Sequence, residues 1–92
     1  MRERFSAKEN PLVFNFNYKL TLEEEKDLYF IANLMYEYDG YTEDEVRKIF
    51  SNPKALSEDI SDMIAEFVTD DFTDYKKAVL TISYVLLLHF SR

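Results

Sequence analysis

Carboxylates are the side chains with the number and spacing to do chemistry in this chain, and that chemistry is attraction rather than bond making. Of its eighteen Asp and Glu residues, sixteen lie between Leu20 and Tyr75, where only Lys26, Arg47, Lys48 and Lys54 answer them, so this block is twelve charges negative. The flanks have the opposite sign: residues 1–19 hold four bases against two acids, and residues 76–92 hold three bases and no acid. A dense acidic surface draws a basic partner and speeds encounter with it.

Three groups concentrate that signal. Glu58, Asp62 and Glu66 recur every four residues, which on a helix aligns them in a ridge; like charges at that spacing cost about 0.2–0.5 kcal/mol per pair. Carboxylates about 6 Å apart along a helix also resemble backbone phosphates in spacing, which would let an acidic protein occupy a nucleic-acid groove on its target. Asp70 and Asp71 continue the acid beyond the ridge. In Tyr36-Glu37-Tyr38-Asp39-Gly40-Tyr41, tyrosines interleave with acids at a helix end, and tyrosine beside desolvated charge is typical hot-spot chemistry. Tyr38 fits a core stripe and Tyr41 a staple, which leaves Tyr36 and Glu37 free on geometry. Tyr36, Glu37, Asp39, Glu58, Asp62, Glu66, Asp70 and Asp71 are therefore the expected partner-binding residues. The plainer reading is a solvated, solubilising face, and acids in first turns of helices also meet the helix dipole favourably.

Other chemistries find no constellation. His89 is the sole histidine and falls on an apolar helix face near its end, where packing or capping is the expected role. No Ser, Cys or Asp has an orienting partner that spacing can identify, so no catalytic site is expected. Asp39 to Glu43 and Asp70 to Asp74 both lack the sixth-position glycine and closing glutamate of a calcium loop, so neither metal nor cofactor is expected. Basic stripes for direct nucleic-acid binding are missing. The chain has no cysteine, which fits a reducing compartment, and its longest uncharged run, Ala78 to Ser91, is shorter than the roughly 20 residues that span a bilayer. A soluble, cytoplasmic protein without membrane contact is expected.

The elements that position these groups are mostly helical. A length of 92 residues suits one domain: a flexible charged segment over 1–10, a strand over 11–20 and a helical body over 21–92. The strand rests on strict alternation of Leu12, Phe14, Phe16, Tyr18 and Leu20 against Val13, Asn15, Asn17 and Lys19. Capping boxes at Thr21/Glu24 and Thr42/Glu45 predict helices over 22–38 and from 43 to just before Ser51-Asn52-Pro53. A third helix is expected over 57–68, burying Ile60, Met63, Ile64 and Phe67, and a fourth over 73–90, burying Tyr75, Ala78, Val79, Ile82, Val85, Leu86 and His89. In the first helix Leu28, Ile31, Ala32, Met35 and Tyr38 form the core face, while Tyr29, Tyr36 and Phe30 need another neighbour. The fold class is mainly α: a small bundle of about four helices preceded by one N-terminal strand, which forms a hairpin with Phe5 to Ala7, lies on the last helix, or pairs with another chain.

A small acidic helical chain with tyrosines among carboxylates is similar in type to immunity proteins that neutralise nuclease toxins, although no individual motif is shared. That resemblance implies an inhibitor acting on a basic protein. A nucleic-acid mimic of phage type, blocking a host defence enzyme, is the second reading. A homodimer is the third, in which Val13, Asn15 and Asn17 pair strands while Leu80, Tyr84 and Leu87, turned away from the core of the last helix, are covered by a second copy.

Overall fold

The computed structural model describes residues 3–66 and 73–91, and among these it is mainly helical. Four helices follow in order: α1 (Leu22–Tyr38), α2 (Glu43–Phe50), α3 (Pro53–Ala65) and α4 (Thr73–Phe90). They pack as a ring, α1 on α4, α4 on α3, α3 on α2 and α2 back on α1. The ring encloses Leu28, Ile31, Ala32, Met35, Val46, Phe50, Leu56, Ile60, Ala78, Val79 and Ile82, all buried.

Local chemistry sets the helix starts. Thr21 and Thr42 each accept from the backbone N–H three residues on, and Glu24 and Glu45 reach back to the Thr N–H at 2.8 Å, completing both expected capping boxes. Gly40, at φ +75°, lets the chain reverse after α1, and the Met35 carbonyl accepts from both Asp39 and Tyr41 N–H. α3 starts four residues earlier than the spacing suggested. Asn52 caps it by accepting from Lys54 and Ala55 N–H, with Pro53 in the first turn, where a missing N–H costs nothing. The proline that stops α2 therefore also starts α3, and Leu56 joins the core.

Two assignments to the core are corrected. Ile64 is 40% exposed and Tyr38 69% exposed: Met63 rather than Ile64 meets the core, and Tyr38 ends α1 beyond it. Phe67 lies outside the described residues.

The N-terminal expectations need larger correction. No strand forms among the described residues; the only pairing in this region is one antiparallel bridge between Ser6 and Asn10. The alternation of 12–20 is nevertheless present as burial, with Leu12 buried, Phe14, Phe16, Tyr18 and Leu20 half-buried, and Val13, Asn15, Asn17 and Lys19 exposed. Alternation records which side of an extended chain is covered, not whether another strand lies beside it. Here the segment is a strap across the helices, and side chains take the place of a ladder. Leu12 N–H donates to Tyr29 Oη and Asn17 N–H to His89 Nδ1, both at 2.9 Å. Asn15 Nδ2 donates to the Ser51 carbonyl at 2.7 Å. Asn15 and Asn17 thus make contacts within the chain.

Residues 3–10 are irregular, as expected, but order begins before Leu12. Phe5 is fully buried in the main core. Asn33, the one buried polar residue described, holds it by its backbone: Oδ1 accepts from Arg4 and Phe5 N–H at 2.8 and 2.7 Å, and Nδ2 donates to the Phe5 carbonyl at 3.1 Å. The strap supplies the neighbours that α1 aromatics required, with Phe5 edge-on to Tyr36 and Phe14 edge-on to Tyr29.

Candidate functional site

The carboxylates separate into two settings. Beside the strap they are neutralised. Glu43 accepts from Arg4 Nε at 2.8 Å and from Arg4 Nη2, and its other oxygen accepts from Arg47 Nη2 at 3.1 Å. Arg47 also binds the Asn10 side chain and the Pro11 carbonyl. The Arg4 hydrogen bond, then that from Arg47, hold the Glu43 carboxyl below its usual range. Lys77, bonded to Glu23 at 3.1 Å, does the same for Glu23, and the Thr42 backbone N–H does so for Glu45.

On another face of the C-terminal end of α1 further acids converge. An indentation of about 390 Å³ is lined by Leu34, Tyr38, Asp39, Tyr41, Asp59, Asp62, Met63, Glu66 and Tyr75. The C-terminal end of α1 supplies Leu34, Tyr38 and Asp39, the loop after it Tyr41, α3 Asp59 to Met63, its cap Glu66, and the start of α4 Tyr75. Among the described residues neither Asp39, Asp59 nor Asp62 forms an ion pair. Partial desolvation pushes the Asp39 carboxyl up. Desolvation and then the charges of Asp62, Glu58 and Asp39 push Asp59 up. Desolvation, then Asp59 and Asp39, raise the Tyr41 phenol. A carboxyl with a raised pKa is one whose ionised form the fold opposes, here mainly through desolvation and, at Asp59, also through the neighbouring acids. Tyrosine faces beside it add cation–π attraction for a lysine or arginine.

Of the expected partner-binding residues, the groove brings together Asp39, Asp62 and Glu66. Glu58 is exposed on the same helix outside the groove lining, and reaches the groove only through its charge on Asp59. Tyr36 and Glu37 are elsewhere, in a second indentation with Glu3, Arg4, Ser6, Glu9, Asn10 and Glu43. Tyr36 packs under Arg4, whose guanidinium carbon is 5.8 Å from the ring centroid. Two residues along a helix are about 200° apart, which is why Tyr36 and Tyr38 face different surfaces. Asp70 and Asp71 lie outside the described residues. Sequence reasoning missed Asp59 and the groove role of Tyr75. Asp59 stands three residues before Asp62, a spacing that marks a shared face. It also missed Asn33, whose signal was a lone amide beside the core stripe of α1.

The α4 residues Leu80, Tyr84 and Leu87 are exposed, as expected, while Leu88 is half-buried. His89 packs edge-on against Phe16 at 5.7 Å and accepts the Asn17 N–H. Among the described residues no cluster of His, Cys, Asp and Glu is arranged to hold a metal ion, and no helix is long and apolar enough to cross a membrane. Comparison with protein-family models, curated proteins and solved structures finds no match.

Proposed function

We propose that this chain is a small acidic binding protein, an inhibitor or immunity-type protein, that neutralises a basic partner such as a nuclease toxin by docking its groove on a cationic cleft. The observation that supports this reading is the gathering of Asp39, Asp59, Asp62 and Glu66 around one tyrosine-lined indentation. Burial pushes the Asp39 and Asp59 carboxyls up, and at Asp59 the neighbouring acids add to it. An arrangement that costs the free protein stability is favoured where a partner recovers the cost on binding. Electrostatic steering by the acidic body would raise association to about 10⁸ M⁻¹s⁻¹ or more at low salt, and the interface need bury only about 1,600 Å².

The test begins with a tagged pull-down from the native host, washed at low and at high salt, with mass spectrometry of what is retained. With the partner in hand, association is followed by stopped flow across ionic strength. The reading expects the rate to fall steeply with salt, and the triple substitution Asp39→Asn, Asp59→Asn, Asp62→Asn to slow association and weaken the complex. A rate indifferent to both would sink it. The exposed row Glu58, Asp62, Glu66 favours a second reading, in which the same acids mimic nucleic acid on a host defence enzyme. In that case DNA competes with the protein for the enzyme, and reversing all three charges abolishes the competition.

A further inference from the structure

Asp39-Gly40 joins the sole glycine of the chain to an acid of the groove, and the pairing carries a reactivity of its own. An aspartate carboxyl and the amide nitrogen of the next residue can close a five-membered ring through Cγ, Cβ, Cα and the main-chain carbonyl carbon. A side chain on the following residue crowds that nitrogen; glycine has none, and its backbone is the most permissive of any residue.

Both reacting groups are free. Asp39 is exposed, and its carboxyl forms no hydrogen bond or ion pair among the described residues. The Gly40 N–H finds no acceptor there either, although the Asp39 and Tyr41 N–H groups on each side both donate to the Met35 carbonyl. A Cβ placed at Gly40 would meet nothing within 4 Å, so no neighbour is packed against this peptide. Asp39 rests at φ −94° and ψ −1° as the C-cap of α1, and the reaction needs rotation about its Cα–C bond to turn the Gly40 nitrogen onto Cγ. Helix ends fray readily, and the rotation breaks only the 3.3 Å bond from Tyr41 N–H to Met35. Partial desolvation, which pushes the Asp39 carboxyl up, keeps more of it as the neutral acid, whose hydroxyl can leave as water.

The fold holds the other described acids and amides out of this reaction. Asp27, Asp44, Asp59, Asp62 and Asp74 lie within helices, where φ and ψ are fixed, and each precedes a residue with a side chain. Asn10 and Asn52 precede proline, which has no N–H to lose. Asn33 is buried in α1, and Asn15 and Asn17 precede the bulky Phe16 and Tyr18.

We propose that Asp39-Gly40 is a self-modification site, at which the chain closes a succinimide and reopens it to isoaspartate in the wall of the groove. The Gly40 nitrogen bonds to Asp39 Cγ, and its proton departs with the carboxyl hydroxyl as water. Water then adds to one of the two ring carbonyls. Cleavage at Cγ restores aspartate, whereas cleavage at the main-chain carbon leaves that carbon as a carboxylate on Cα and routes the chain through Cβ and Cγ. Formula and charge are unchanged. The carboxylate is drawn back toward the backbone, and the connection between α1 and α2 gains one carbon, which shifts Tyr41 as well.

The test is to hold the full chain for weeks below its unfolding temperature, beside a sample unfolded in urea, and to digest both at intervals. Electron-transfer fragmentation distinguishes isoaspartate from aspartate in peptides of equal mass. In the folded protein isoaspartate is expected at position 39, forming about tenfold or more faster than at any helical aspartate. Asp39→Glu should abolish it, because the ring would need six members, and Asp39→Asn should speed it, because ammonia leaves more readily than water. The position is exposed, so helical circular dichroism of both variants should stay at the wild-type level. Isoaspartate that forms at position 39 only in urea, or no faster than at the helical aspartates, would overturn the proposal, as would an Asp39→Asn variant that keeps its amide. No partner enters the measurement, so failure here is distinguishable from failure of the binding reading.

Discussion

The N-terminal clasp and the acidic groove are made from the same carboxylates and treat them in opposite ways. At the clasp, Glu43 is held between Arg4 and Arg47, and the charge joins the strap to α2. At the groove, Asp39, Asp59 and Asp62 converge with Glu66 and three tyrosines, and the first two are pushed up rather than down. The clasp uses acid to hold the chain together, whereas the groove keeps acid in place at some expense to the fold. Composition reports both kinds of acid identically, and only the surroundings distinguish acid held in an ion pair from acid whose ionised form the fold opposes.

Breaking the clasp should have the largest effect. Phe5→Ala empties a fully buried aromatic site and should cost about 3–5 kcal/mol, a large share of a total stability of about 5–15 kcal/mol, read as a lowered urea midpoint by circular dichroism. Asn33→Leu fills the same volume but leaves the Arg4 and Phe5 backbone groups without their amide partner, and should cost about 2–3 kcal/mol. A wild-type urea midpoint for this variant would mean that the amide does not secure the strap. Glu43→Gln should destabilise less than either. Because the folded Glu43 pKa is lowered, its contribution is present above the unfolded carboxylate range and lost as pH falls through the folded value, so the deficit of the variant should shrink on acidification. Asp59→Asn should have the smallest effect and the opposite sign, a gain of about 0.2–0.5 kcal/mol at neutral pH from a charge no longer desolvated beside other acids, or about 2 °C in melting temperature. The folded Asp59 pKa is raised, so wild type itself gains stability as pH falls through that value, and the advantage of the variant should disappear there.

The regular elements were largely legible in the sequence. Both capping boxes, the bounds of α1 and α4 and the exposed stripe of α4 follow from local spacing, because helix starts and faces are set within a few residues. The strap was half legible. Its alternation fixes which side is buried, but that its N–H groups end on Tyr29 and His89 depends on residues 17 and 72 positions away, which no local pattern encodes. Phe5 passed as part of a charged tail, since a single anchoring ring carries no periodicity. At the candidate site, Asp39, Asp62 and Glu66, singled out by charge, line one indentation. Tyr36 and Glu37 do not, since joining the end of α1 to α3 required knowing how the two helices pack.

The distinction between the two kinds of acid is tested most directly by following the side-chain carboxyl carbons in a ¹³C NMR pH titration of the intact protein. The account predicts that Asp39 and Asp59 titrate above ordinary aspartates while Glu43, Glu23 and Glu45 titrate below ordinary glutamates. Asp39 and Asp59 titrating at or below the ordinary range would contradict it, because the fold would then not oppose their ionised forms.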